Sequence, residues 1–229
     1  MFADQLSHEG REKLPAVRRG SEVPGEDLSR ILSLTDGVFA FALTLLVLGL
    51  TVPVITTTGL SSSQLSGELG ARLNQDWQTF FGYAFAFVMI AVWWTYHHRT
   101  FRYIERYDSV LMWSNMALLM EIAVMPFVLQ LYATYSSAQV AVVLFSVMQI
   151  AAALTLNFIW RYAAVGHRLV NPSLDPREIA FFANAGLITP AVFAVSIGIS
   201  FVSVEAAQYV WILAIVARRL ARGRNYGPA

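Results

Sequence analysis

The chain alternates long apolar runs with short polar connections. Bilayer hydrocarbon about 30 Å thick takes roughly 20 helical residues to cross, and five runs meet that length. The first extends from Arg30 to Leu50 and the second from Trp77 to His98. The third and fourth lie between Asp108 and Arg161, parted by the polar turn Ala133-Thr134-Tyr135-Ser136-Ser137. The fifth covers Ile179 to Val204, and a shorter sixth runs from Ala206 to Ala217. The pattern therefore predicts an all-α bundle of six transmembrane helices. It divides into a disordered tail over 1–28, a membrane domain over 29–219 and a second tail over 220–229.

Composition supports this reading. Of 229 residues, 56% are hydrophobic and 14% charged, against roughly a quarter charged in soluble domains. No cysteine is present, which removes disulfides, thiolate metal sites and a cysteine nucleophile. The polar amino terminus lacks the apolar core of a signal peptide, so no cleaved leader is expected. The net charge of +1 gives no reason to expect a nucleic-acid partner, but the placement of charge is informative. With six crossings every basic residue except Arg72 falls on one side, including Arg99, Arg102, Arg106, Arg161, Arg168, Arg177 and the four carboxy-terminal arginines. By the positive-inside rule that side, with both termini, is cytoplasmic. Five crossings would strand the carboxy-terminal arginines outside, so charge favours the sixth span. In the loop between the first two spans, SQLSGELGARL predicts a short amphipathic helix. Pro172 and Pro176 mark a turn, and no internal repeat is evident.

The first span carries the most information. Arg30 and Asp36 sit at one end of an otherwise apolar helix. At about 100° per residue they project from nearly opposite faces, so Asp36 needs partners from neighbouring helices. Gly37, Phe41, Thr44, Leu45 and Leu48 form one narrow stripe, with Arg30 below them. Periodicity alone leaves open whether that stripe is a packed seam or the wall of a pore.

The segment Arg30-Ile-Leu-Ser-Leu-Thr-Asp36-Gly-Val-Phe-Ala-Phe-Ala-Leu-Thr-Leu-Leu-Val-Leu48 resembles the first-helix signature of the transmembrane protein 175 family of lysosomal and prokaryotic potassium channels. The family motif is Arg, three residues, then Phe-Ser-Asp. Here the triplet is Leu34-Thr35-Asp36, which keeps the hydroxyl and loses the aromatic ring. The resemblance implies a homotetramer of six-helix units in a prokaryotic cytoplasmic membrane, with four first helices lining a pathway for K⁺. It places the hydrophobic constriction at Phe41, where relatives carry Ile or Leu, and the next layers at Thr44, Leu45 and Leu48. Four phenyl rings could close a pore by dewetting or attract a cation through their faces. No carbonyl filter of the Thr-Val-Gly-Tyr-Gly kind is present, and Thr44 is the candidate for partial ion coordination.

Trp94, His97 and His98 end the second span at the depth of Asp36. Neutral imidazole donates a hydrogen bond to carboxylate, so His97 or His98, with Trp94 nearby, is expected to hold Asp36. The resemblance implies that such a network, with Arg30 and Thr35, braces the pore helix; an interfacial aromatic belt is the alternative. Adjacent histidines point about 100° apart on a helix, which argues against a metal site. Glu121, midway along the third span, is a candidate proton site or an acid bonded to Asn115, Gln130, Gln149 or Asn157. Pro126 is expected to kink that span, and Asn115 and Asn157 to bond between helices. Gly166-His167-Arg168 reads as solvated loop. No motif for an enzyme or a cofactor appears. The leading expectation is a passive, potassium-preferring cation channel. The alternatives are a proton channel or proton-coupled transporter using Glu121 and Asp36, and a non-conducting interaction protein.

Overall fold

The structure, a computed structural model, describes residues 26–56 and 58–211. These residues are helical throughout, apart from connecting loops and one isolated bridge between Ile104 and Val170. Helix α1 spans Glu26–Leu45 and tightens into a 3₁₀ turn over Leu46–Gly49. It is followed by α2 (Ser62–Gln75), α3 (Trp77–Phe101), α4 (Ser109–Thr134), α5 (Gln139–Ala164), α6 (Pro176–Ala185) and α7 (Ile188–Ser200). A further helical stretch covers 204–211. Among the described residues five spans are long and apolar enough to cross a membrane: Leu28–Gly49, Trp77–Phe101, Ser109–Thr134, Gln139–His167 and Pro176–Ser200. Helix α1 already begins at Glu26, inside the stretch expected to be a tail. The rest of the sixth span beyond residue 211 and the tail over 220–229 lie outside the described residues.

Local chemistry sets several boundaries. The Asp108 carboxylate caps α4 by accepting the Leu111 amide, and Asp175 caps α6 with Pro176 in its first turn, where the missing proline N–H costs nothing. Ser61 and Gln64 form a reciprocal capping box that starts α2, the amphipathic helix expected in the first loop. Helix α4 runs through Pro126 without interruption. Packing centres on α5, which lies against α4 on one side and α7 on another, while α4 also meets α1 and α3. Ile90, Ile122, Met125, Val142 and Phe145 are fully enclosed between these helices.

The fifth span departs from the expected single helix. It breaks at Gly186–Leu187, between α6 and α7. Two causes act together. Pro190 has no N–H to offer the Gly186 carbonyl, and the buried Asn157 amide donates to the Ala183 carbonyl at 2.7 Å. The Leu187 amide, which would otherwise bond Ala183, turns to Asn184 at 3.1 Å. A Cβ on Gly186 would run into the Asn157 amide. Gly186→Ala should therefore displace Asn157, strand the Ala183 carbonyl and cost about 1–3 kcal/mol. Thermal unfolding in detergent tests this: a lowered Tm is expected, and an unchanged one contradicts it.

The loops fix the ends of the bundle. After α3 the chain is tied to the segment after α5: the Glu105 and Arg106 amides both donate to the Leu169 carbonyl, and Asn171 donates to the Glu105 carboxylate. At the other end Gln208 donates to the Ser136 carbonyl in the α4–α5 turn, and Trp211 packs on Tyr132, Phe145 and Phe193. The Gly166-His167-Arg168 loop is pinned rather than merely solvated. Gly166 and His167 both take positive φ, the His167 ring bonds the Leu174 carbonyl, and the Arg168 guanidinium lies 4.4 Å from the centre of the Tyr162 ring.

Tyr162 also donates to Asp108 at 2.6 Å. Burial pushes the Asp108 carboxyl up, but the Tyr162 hydroxyl, the Leu111 and Val110 amides and the Arg168 charge outweigh it and hold the group below its ordinary value. With a depressed folded-state value, its stabilisation is complete above the unfolded value and is lost as pH falls through the folded one. Asp108→Asn should therefore lower Tm near neutral pH and flatten the loss of Tm on acidification below the usual carboxylate range. An acid limb identical to that of the unsubstituted protein would contradict this.

Candidate functional site

Helix α1 has two faces with different fates. Thr35, Phe39, Ala42 and Leu46, spaced four, three and four residues apart, are all buried and turn toward α3 and α4. Gly37, Phe41, Thr44 and Leu48, with the same spacing two residues on, project about 200° away. Phe41 is 64% exposed and Leu48 75% exposed. Nothing lies within 4 Å of where a Gly37 Cβ would stand. Thr44 is exposed, with its hydroxyl turned back onto the Phe41 carbonyl at 2.8 Å, and Leu45 is half-buried. The stripe read from periodicity is thus the side of α1 that its own chain leaves largely uncovered.

The buried face is anchored by a directional chain of hydrogen bonds. The Thr35 hydroxyl donates to the Ile31 carbonyl, so its oxygen is free to accept the Asn115 amide at 2.9 Å. That orientation turns the Asn115 oxygen toward His97 Nε2, 3.0 Å away. An oxygen acceptor there requires Nε2 to carry the proton, which assigns the tautomer. His97 is 2% exposed, stacked on Phe101 and tilted against Phe39. One polar chain therefore crosses from α1 through α4 to α3 inside the buried core.

Asp36 is held separately. Trp94 Nε1 donates to its carboxylate at 2.9 Å, and the His98 ring stacks on Trp94 at 5.2 Å between centroids. Trp94 and His98, four residues apart, share the face of α3 that looks at Asp36, while the adjacent His97 points about 100° away from His98. The expectation that a histidine would bond Asp36 is thus corrected: the indole bonds the carboxylate, and His97 bonds Asn115. Arg30 is exposed, and among the described residues no hydrogen bond or ion pair ties it to either cluster. Asn115, expected only as an interhelical bond, is the link between Thr35 and His97; the readable signal was one amide near the beginning of an apolar span.

Glu121 accepts from the Thr155 hydroxyl on α5 at 2.9 Å, and its other carboxylate oxygen is buried without a partner among the described residues. None of the four amides considered as its partner bonds it: two have their donor nitrogens engaged elsewhere, and the Gln149 nitrogen is itself buried without a partner among the described residues. Asn115 serves Thr35 and His97, the Gln149 oxygen takes the Trp93 indole, and Asn157 bonds Ala183. Among the described residues no cluster of three or more metal-ligating side chains occurs.

Comparison with known proteins places this geometry. The model of the family described as endosomal/lysosomal potassium channel TMEM175 matches residues 30–126, a stretch containing both clusters around α1. A potassium channel of Chamaesiphon minutus is 33% identical over 196 residues, covering 82% of this chain and 92% of that protein. A potassium channel of Streptomyces collinus is 31% identical over 183 residues, covering 76% and 82%. The crystal structure of a lysosomal potassium-selective channel TMEM175 homolog from Chamaesiphon minutus superposes with a TM-score of 0.67 at 29% identity, covering 85% of this chain and 98% of that one. With its apolar spans and the Thr35–Asp36 corner of its first helix, this chain belongs to the TMEM175 family.

Proposed function

We propose that the chain is one subunit of a passive, potassium-preferring cation channel: a homotetramer of six-span units in a prokaryotic cytoplasmic membrane, with both termini cytoplasmic. Four copies of α1 meet at the axis and present Phe41, Thr44, Leu45 and Leu48 to the pathway, with Phe41 as the constriction. One observation carries this reading. The stripe of α1 from Gly37 to Leu48 is largely uncovered by its own chain, while the opposite face is held by α3 and α4. A single helix cannot enclose a pore, so a conducting α1 requires copies of itself. The bracing chain through Thr35, Asn115 and His97, and the Trp94–Asp36 bond, then set the rotation of α1 about its axis.

Apolar rings of this kind gate by dewetting, and Thr44 supplies the hydroxyl of the narrow stretch. Thr44→Val keeps the shape and removes the oxygen. In bilayers with K⁺ on one side and Na⁺ on the other it should shift the reversal potential, whereas an unshifted potential would remove Thr44 from ion coordination. A proton route through Glu121 and Asp36 is less well supported, since the two carboxylates have separate partners, Thr155 and Trp94. K⁺ flux into liposomes without a proton gradient tests the main reading. Flux is expected, and a flux that required a proton gradient would transfer the function to the alternative.

A further inference from the structure

A cavity of about 640 Å³ opens between the carboxy-terminal end of α3, α5 and the broken α6–α7 span, apart from the α1 stripe. Its walls are aromatic and aliphatic: Trp93, Tyr103, Leu156, Trp160 and Phe182. Several polar groups of the lining are already committed. Trp93 donates to Gln149, Trp160 to the Ile179 carbonyl, and Asn157 to the Ala183 carbonyl. The Thr100 hydroxyl is likewise spent on the Tyr96 carbonyl. A polar solute entering the interior would find few free donors. The basic residues that line the cavity have the opposite character. Arg99 and Arg102 are exposed, and the one ion pair among the described residues, Arg72–Glu68, involves neither.

An apolar chamber edged by two guanidiniums free of carboxylates, at the end of a membrane span, matches a ligand with an anionic head and an apolar tail. Guanidinium pairs well with phosphate oxygens through paired, charge-assisted hydrogen bonds. The volume lies within the roughly 300–1,000 Å³ typical of organic ligand sites and is far too large for a desolvated ion. We infer that this cavity binds an anionic phospholipid, its phosphate on Arg99 and Arg102 and the start of an acyl chain against the aromatic wall that Trp160 and Phe182 form by packing edge to face. A soluble phosphate shares the head chemistry and gains nothing from the apolar walls, which is why the lipid is the favoured occupant.

The test is native mass spectrometry of the purified full chain titrated with phosphatidylglycerol or phosphatidylcholine. The unsubstituted protein should retain phosphatidylglycerol preferentially. Arg99→Gln with Arg102→Gln should weaken that binding by about tenfold or more, as expected for lost charge-assisted contacts. Arg161→Gln with Arg177→Gln, which removes two basic residues outside the cavity, should change it by less than about twofold. Millimolar inorganic phosphate should not displace the lipid. Equal losses in the two double variants would overturn the site in favour of diffuse surface attraction. Displacement by inorganic phosphate would overturn the lipid assignment, and absence of preference in the unsubstituted protein would overturn both. If the Arg99/Arg102 double variant fails to fold, Arg102→Gln alone carries the same comparison. The readout is binding, so it stands or falls independently of ion conduction.

Discussion

Phe41→Ala should raise K⁺ flux through the reconstituted protein by about tenfold or more. At a hydrophobic constriction the barrier is the cost of stripping water from an ion between apolar walls, and narrow apolar rings gate by expelling water altogether. Four phenyl groups are the bulkiest apolar surface on the proposed pathway; four methyl groups leave room for a hydrated ion. Each 1.4 kcal/mol taken from such a barrier is tenfold in rate, so even a partial loss of the dewetting cost reaches that size. Because Phe41 is 64% exposed, its removal opens no cavity within its own subunit, and Tm should move little. Single-channel conductance or liposome flux measures the change. Flux equal to that of the unsubstituted protein would take Phe41 out of the pathway. A parallel fall in Tm would mean that the ring packs rather than gates.

The second large effect concerns the polar chain behind α1. Asn115→Ala strands the His97 Nε2–H in a site that is 2% exposed, which costs about 1–3 kcal/mol. Thr35 suffers less, since its hydroxyl keeps the Ile31 carbonyl. A double-mutant cycle separates this from simple loss of packing. His97→Leu with Asn115→Leu removes donor and acceptor together, and replacing both partners by apolar groups can be nearly neutral. The double variant should therefore be more stable than the sum of the single losses predicts, with a coupling of roughly 0.5–3 kcal/mol. Thermal unfolding in detergent gives the four values, and strictly additive losses would deny that the two side chains act as one unit.

These two residues also show what was legible in the sequence. The stripe holding Phe41 was legible as residues that share one side of a helix, which depends only on spacing; that its own chain leaves this side uncovered was not, because exposure depends on how the other helices pack. The corner at Thr35–Asp36 was legible as a need for partners from other helices. Which partner answered was not: the rotation of α3, set by packing, turns His97 away from the face that Trp94 and His98 share, and on that face the indole bonds Asp36 while His98 stacks on the indole. The same limit explains Glu121, whose partner Thr155 is a short hydroxyl less conspicuous than the amides on neighbouring spans. The break at Gly186–Leu187 needed two distant facts at once, the missing N–H of Pro190 and the reach of Asn157 from α5. Apolar length alone reads through it as one continuous span.

In the proposed channel the uncovered stripe of α1 faces a water-filled ion pathway and not lipid. The absence of native cysteine makes one measurement decisive: the bilayer current of Leu48→Cys during exposure to a charged, water-soluble thiol reagent, beside Phe127→Cys on the exposed face of α4 as a control. Rapid and lasting block at position 48 with an unaffected current at position 127 is the predicted result. A current at position 48 that ignores the reagent, or the same response at both positions, would contradict it.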